Sequence, residues 1–280
     1  MASETLPTTA EKLDRLATIL RELESVVVAF SGGADSVLLM DLAREVLGDR
    51  ALAVIGASPA YPPEEIAEAC EVAERLGVRL KIVNTHQMDD PNFVRNDARR
   101  CYYCRVELYD QLTGVARQEG YAHVIDGANL DDVGDYRPGR QGAAEKGVRS
   151  PLQEAGLTKA EIRAVSRERG LPTWDKPSSP CLSSRFAYGI PISFEVLERL
   201  ARAEGYLRTL GLRQVRVRHH DAIARIEVPP DDLPRLVDPA VREGIVARLK
   251  ELGWSYVTLD LAGYRTGSMN EVLKLTAVST

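Results

Sequence analysis

The segment Ser31-Gly32-Gly33-Ala34-Asp35-Ser36 follows the apolar run Val26–Phe30 and leads into Val37-Leu38-Leu39-Met40, a spacing that predicts a strand, a glycine turn and a helix start. Two glycines let backbone N–H groups turn inward with no Cβ in the way. The N-terminus of the following helix adds its positive dipole end, and the combination favours a bound polyphosphate. The lysine of GxxxxGK[ST] is missing, so the loop that cleaves a γ-phosphate is a poor match. The plain alternative is a glycine-rich turn capped by Ser36.

The flanking sequence fits a strand–helix alternation. Leu13, Leu16, Ile19, Leu20 and Leu23 recur at helical spacing over residues 11–24. A strand at 51–57, a helix at 64–76 bounded by Pro62-Pro63 and Gly77, a strand at 77–85, a helix at 105–119 and a strand from 122 ending near Asp126 follow. This order predicts an α/β fold with a parallel sheet, whose ligands sit at the carboxyl ends of its strands. Ser31–Ser36, Ala57–Ser58 and Asp126–Asn129 all fall at such ends. Residues 131–156, rich in Gly, Arg and Asp, read as a long functional loop over the site, followed by a helix at 158–169. Pro177, Pro180 and Pro191 make 173–192 irregular. Helices at 193–210 and 237–252 with strands at 212–218, 222–228 and 254–261 predict a smaller C-terminal α+β domain. The expected boundaries are therefore 1–172, 173–192 as a cysteine loop and linker, and 193–280.

A chain of 280 residues with 44% hydrophobic content can bury two modest cores. The net charge of −5 argues against a protein whose main business is wrapping nucleic acid. No stretch approaches the roughly 20 apolar residues that span a bilayer, and the polar start lacks a leader pattern, which predicts a cytoplasmic protein with no membrane partner. Four cysteines make no disulfide framework, and Cys-x-x-Cys in a reducing compartment marks a metal or redox feature.

Several residues can carry chemistry. Asp35, Asp126, Asp131 and Asp132 offer hard oxygen ligands for Mg²⁺ beside a pyrophosphate, although Asp131 and Asp132 also fit a solvated loop. Ala57 and Ser58 are placed for backbone contacts to adenine or mark an ordinary strand exit. Cys101-Tyr102-Tyr103-Cys104 stands just before a predicted helix, and Cys181 lies in Ser178-Ser179-Pro180-Cys181-Leu182-Ser183-Ser184-Arg185. Three thiolates can hold a cubane iron–sulfur cluster with one iron open, whereas zinc would want a fourth protein ligand. Arg185 beside Cys181 favours the thiolate needed for nucleophilic attack. Arg216 and Arg218 alternate along a strand and share a face, which suits a phosphate or carboxylate ligand or a solvated face paired with Glu227. His86, His123, His219 and His220 read as ordinary core or surface histidines, and Cys70 as core packing.

Taken together, SGGADS, CYYC, DGANLDDVGDYRPGR, VRSPL, LPTWDKPSSPCLSSRFAYG and VRVR with ARIE resemble the sulfur transferase family that matures the nickel-pincer cofactor of lactate racemase. The resemblance runs from about residue 26 to the end. It implies a PP-loop ATP pyrophosphatase fold, a homo-oligomer, and a small nucleotide substrate, pyridinium-3,5-biscarboxylic acid mononucleotide. ATP and Mg²⁺ would be handled by Ser31, Gly32, Gly33, Asp35, Ser36, Ala57, Ser58, Gly127 and Asn129, with Asp131 and Asp132 on the metal. Ser184, Arg185, Glu204, Arg216, Arg218 and Glu227 fall where the family places its substrate and active-site groups. In one branch the residue matching Cys181 gives up its own sulfur and becomes dehydroalanine. In the other, three cysteines hold a [4Fe-4S] cluster, and the presence of Cys101 and Cys104 resembles that branch. A tRNA thiolase, an amide-forming ligase and a nucleotide sensor share the loop; the first needs a basic surface and the others have no use for the three cysteines.

Overall fold

The computed structural model describes residues 7–133, 138–177, 180–265 and 267–271. In chain order its elements are α1 (Thr9–Glu22), β1 (Val26–Ala29), α2 (Ala34–Leu47), β2 (Ala51–Ala57), α3 (Pro63–Leu76), β3 (Leu80–Asn84), α4 (Pro91–Val94), α5 (Arg100–Glu119), β4 (His123–Ile125), α6 (Pro138–Glu145), α7 (Pro151–Glu154), α8 (Lys159–Glu168), α9 (Phe194–Thr209), β5 (Arg216–His220), β6 (Ile223–Glu227), α10 (Leu233–Val237), α11 (Pro239–Glu251) and β7 (Tyr256–Leu259). The chain divides into two compact units.

The first unit takes in Met1–Ser58, Pro63–Gln87 and Cys101–Ser178. Its four strands are all parallel, in the order β3-β2-β1-β4, with Val27 level with Leu52 on one side and Val124 on the other. Side chains alternate across this sheet. Val26, Val28, Ala53 and Ile55 join a core with Leu38, Val72 and Ile162 from α2, α3 and α8, whereas Val27, Leu52 and Val54 pack with Tyr109, Leu112 and Ala116 of α5. A sheet covered on both faces explains why β1 and β2 read as unbroken apolar runs. Leu38, Leu39 and Met40 of α2 are all fully buried, and truncating any one to Ala would cost about 2–5 kcal/mol. The strand order reverses between β1 and β4, so the loops leaving these two strands flank the crevice where such sheets bind ligands.

Two expectations need correction. The stretch 131–156 is not one loop: α6 and α7 occupy much of it, each starting on a proline, while 134–137 lie outside the described residues. Small residues let α6 lie directly on α5, since a Cβ on Gly142 would come 3.1 Å from Val106 Cγ2. In addition, Cys101 and Cys104 do not precede the helix but form its first turn, because α5 begins at Arg100 and neither Pro nor Gly falls in the run from there to Thr113.

The second unit comprises Pro59–Pro62, Met88–Arg100 and Ser179–Thr280. Here β5 and β6 pair antiparallel and β7 joins β6 in parallel. α9 lies against β5, and α11 against β7 and α9. Leu197, Leu200, Leu207, Val217, Ile226, Leu249 and Trp254 are buried.

Candidate active site

At the end of β1 the chain turns through Gly32, whose φ of +67° disfavours any side chain; a Cβ there would also lie 2.7 Å from that of Ala69 on α3. The hydroxyls of Ser31 and Ser36 are 3.1 Å apart, the Ser31 N–H donates to Ser36 Oγ, and Ser36 Oγ donates to the Gly33 carbonyl at 3.1 Å. Ser36 thus closes the loop from within. The N-cap residue is Gly33, which has no side chain to offer the first N–H groups of α2, so these are left to an incoming anion. From the neighbouring strand, Gly127 packs so closely on this helix start that a Cβ would sit 3.1 Å from the Ser36 nitrogen.

Asp35, in the first turn of α2, accepts from Asn129 Nδ2 at 3.3 Å and from the ammonium of Lys159. Lys159 was not singled out from the sequence. Its signal was present: a lysine at the first position of a helix opposes the macrodipole, while Thr158 and Glu161 form the capping box that keeps the helix start intact. Asn129 Oδ1 accepts from the Asp131 N–H, Asp132 accepts from the Asn129 N–H at 3.0 Å, and Asp131 accepts from the Lys159 N–H at 2.8 Å. Asp131 and Asp132 therefore brace the loop around Asp35. Asp126 is held by Tyr109 Oη at 2.6 Å and Ser150 Oγ at 2.7 Å. At the end of β2, the Ala57 carbonyl accepts from both the N–H and the hydroxyl of Thr85, and the buried Ser58 hydroxyl accepts from Gln87.

The second unit presents Cys181 on a short 3-10 turn, Leu182–Arg185. The Ser184 hydroxyl and the Arg185 guanidinium donate to the Cys181 carbonyl at 2.8 and 3.0 Å. Arg185, 1% exposed, grips Glu204 through two bonds of 2.8 and 2.9 Å. Glu204, itself fully buried, also accepts from the Val217 N–H and from Arg208. Burial alone would raise its carboxyl, but the Arg185 charge holds it below the ordinary carboxylate range.

Arg216 and Arg218 point to the same side of β5 and are 3% and 5% exposed, which removes the solvated-face alternative. Arg218 donates twice to Glu227, at 2.6 and 3.0 Å, and once to the Ser184 carbonyl at 3.1 Å. Arg225 and Ser268 complete the surroundings of Glu227. Arg216 stacks 5.4 Å from the Tyr264 ring, and burial with Arg185 close by pulls its guanidinium down to about 10. The buried arginines 185, 216 and 218 gather with the buried glutamates 204 and 227 next to the cysteine turn. Such a centre attracts an anion.

Cys101 and Cys104 lie three residues apart, on one side of the first turn of α5, an arrangement that suits a metal with an affinity for thiolates. None of the four cysteines forms a disulfide. Among the described residues no three His, Cys, Asp or Glu side chains converge as a metal site. His219 is structural, accepting the Trp254 indole N–H at 3.1 Å, and Cys70 packs against the first core. No helix among the described residues is long and apolar enough to cross a membrane.

A family profile described as NAD synthase matches residues 13–95, the span of β1, the glycine loop, α2 and α3. Over 277 residues the chain is 40% identical to the pyridinium-3,5-bisthiocarboxylic acid mononucleotide synthase of Lactiplantibacillus plantarum, covering 98% of this chain and 99% of that protein. The chain belongs to that synthase family. An uncharacterized protein of Synechocystis is 47% identical over 94% of this chain and 98% of its own length. The NH(3)-dependent NAD(+) synthetase of Pyrococcus furiosus is 38% identical over 79 residues, 27% of this chain and 30% of that protein. The profile match ends at residue 95, whereas the synthase match, covering 98% of this chain, also spans the Cys181 turn and its arginines. The chain is thus an ATP-using enzyme of PP-loop type.

Proposed function

We propose that this enzyme uses ATP to adenylate a carboxylate of pyridinium-3,5-biscarboxylic acid mononucleotide and then replaces AMP with sulfur, giving the thiocarboxylate required for the nickel-pincer cofactor of lactate racemase. The observation that carries this reading is the cluster of buried arginines 185, 216 and 218 by the Cys181 turn, which suits presentation of an anionic substrate to a sulfur centre. The near full-length match to the synthase supports it.

In this reading the N–H groups at the start of α2, with Ser31, Gly32, Gly33 and Ser36, hold the polyphosphate, Gly127 and Asn129 border it, and the backbone at Ala57 and Ser58 receives adenine. Lys159 and Asp35 orient the leaving pyrophosphate, the lysine standing in for the one missing from the loop. Mg²⁺, with Asp131 and Asp132 as candidate ligands, would offset the charge on that leaving group. The substrate carboxylate attacks the α-phosphorus, pyrophosphate departs, and the acyl phosphate that forms carries AMP as its leaving group. A sulfur nucleophile then adds to the acyl carbon and AMP is expelled with the electron pair of its C–O bond. Arg216 and Arg218, set by Glu227, hold the substrate phosphate; Arg185, set by Glu204, and Ser184 keep Cys181 in place.

Cys101, Cys104 and Cys181 are the residues that would hold a [4Fe-4S] cluster. Such a cluster, when bound, supplies an exchangeable sulfide at the iron that no cysteine ligates. We assign residues 193–280 to substrate binding and expect a cytoplasmic homo-oligomer, as the family resemblance implies. The test is incubation with ATP, Mg²⁺, sulfide and the dicarboxylate mononucleotide under anaerobic conditions. Release of pyrophosphate and AMP together with a product carrying sulfur in place of oxygen supports the assignment; ATP turnover indifferent to the mononucleotide overturns it.

A further inference from the structure

Four carbonyls of the cysteine turn are held by buried arginines. Arg185 donates to those of Pro180 and Cys181, Arg218 to that of Ser184 at 3.1 Å, and Arg100 to that of Ser183 at 2.9 Å. Arg185 and Arg218 are neutralised by Glu204 and Glu227. Arg100 is not. At 6% exposure its guanidinium meets, among the described residues, only uncharged groups: the Asn96 amide oxygen, the Ser183 carbonyl and the Tyr188 ring, 5.5 Å from its carbon. Its buried Nε has no acceptor among the described residues. A desolvated cation with no carboxylate weakens the folded state, so the benefit of this side chain lies in what it positions.

The segment that carries Arg100 is itself laced to the turn. Asn96, fully buried with φ +58°, donates from Nδ2 to the carbonyls of Ala187 and Ile190, both at 2.8 Å, and accepts the Gly189 N–H at 3.1 Å. The Val94 carbonyl accepts the Ile192 N–H at 2.9 Å. Asn96 therefore anchors the chain beyond the turn, and Arg100 reaches past it to Ser183, the residue whose carbonyl also accepts the Phe186 N–H that closes the turn.

We propose that Arg100 is a positioning residue for Cys181: by fixing the Ser183 carbonyl it sets the turn from which the thiol projects, and it takes no part in adenylation. The proposal rests on the sulfur-transfer reading above for its catalytic consequence, but not for its structural one. The test compares Arg100→Lys and Arg100→Met in the full-length protein by amide hydrogen exchange, pyrophosphate release and thiocarboxylate formation. Lysine keeps the charge but not the planar fork.

Loss of the charge-assisted bond should speed exchange of the Phe186 amide by about ten-fold. Displacement of the thiol should slow sulfur transfer by roughly 10- to 100-fold while pyrophosphate release is unchanged. Unaltered Phe186 exchange in the variants, or pyrophosphate release falling in step with sulfur transfer, overturns the proposal. Should the methionine variant fail to fold, the lysine variant decides. A wild-type protein that forms no thiocarboxylate sinks the sulfur-transfer reading instead, and Phe186 exchange still tests the anchor.

Discussion

Lys159, the first residue of α8, places its ammonium on the carboxylate of Asp35, 124 positions earlier in the glycine loop. The pair joins a loop that binds phosphate through backbone to a side-chain cation that the loop itself lacks. Removing one preorganised donor to a transition-state charge costs about 10²–10³-fold. Lys159→Met and Asp35→Ala are therefore expected to suppress substrate-dependent pyrophosphate release by about that factor, whereas Cys181→Ala should release pyrophosphate normally and form no thiocarboxylate. A pyrophosphate assay checks each variant, and an unaffected rate in Lys159→Met would remove the lysine from the phosphate site.

Arg185 and Glu204 form a two-pronged ion pair out of reach of water. Arg185→Met should destabilise the protein by about 3–5 kcal/mol because the glutamate stays buried without its main partner. Combining it with Glu204→Met should recover much of the loss. Urea unfolding measures both, and a double variant no more stable than Arg185→Met would show that the pair is not the unit of stability.

Arg216 is expected to act on substrate and not on ATP. A charge-assisted contact to a partly buried anion is worth roughly 1.5–3 kcal/mol, so Arg216→Met should weaken mononucleotide binding about ten-fold or more. Calorimetric titration with each ligand separates the two effects. Equal losses for both ligands would return the arginine to a purely structural role.

The sulfur source can be read from the protein after turnover. If Cys101, Cys104 and Cys181 ligate a cluster, anaerobic protein is brown, Cys101→Ala loses colour and activity together, and added sulfide supports repeated turnovers. Sacrifice of Cys181 would instead appear in intact-mass analysis as loss of the elements of hydrogen sulfide, mapped to position 181. Dehydroalanine in cluster-loaded protein would overturn the cluster reading.

Burial, with Arg199 nearby, lowers the pKa of His219, and its Nδ1 must be neutral to accept the Trp254 indole N–H. The unfolded chain then takes up a proton near about pH 6.5 that the folded one resists, so stability falls as the pH drops through that value. The melting temperature should decline on acidification between about pH 8 and pH 5. His219→Gln, which keeps an acceptor without the titration, should flatten that decline. His220, also lowered by burial, adds to the slope in the same sense.

The strands, the longer helices and the glycine loop were legible because each depends on short-range pattern: apolar runs for β1 and β2, helical periodicity in α1, and glycines where a positive φ is needed; the short α4, α6, α7 and α10 carry too few turns for a period to show. The cysteine pair was legible as a motif, although its place inside the first turn of α5 was not, since nothing local marks where an uninterrupted helix begins. Pairings across the chain were decided by the tertiary structure alone. Lys159 on Asp35, Glu204 beneath Arg185 and Arg100 on Ser183 join positions separated by 124, 19 and 83 residues. No spacing rule reaches that far. Burial then decided the character of Arg216 and Arg218, because the same alternating arginines would be a solvated strand face in water, and only the fold desolvates them beside two buried glutamates.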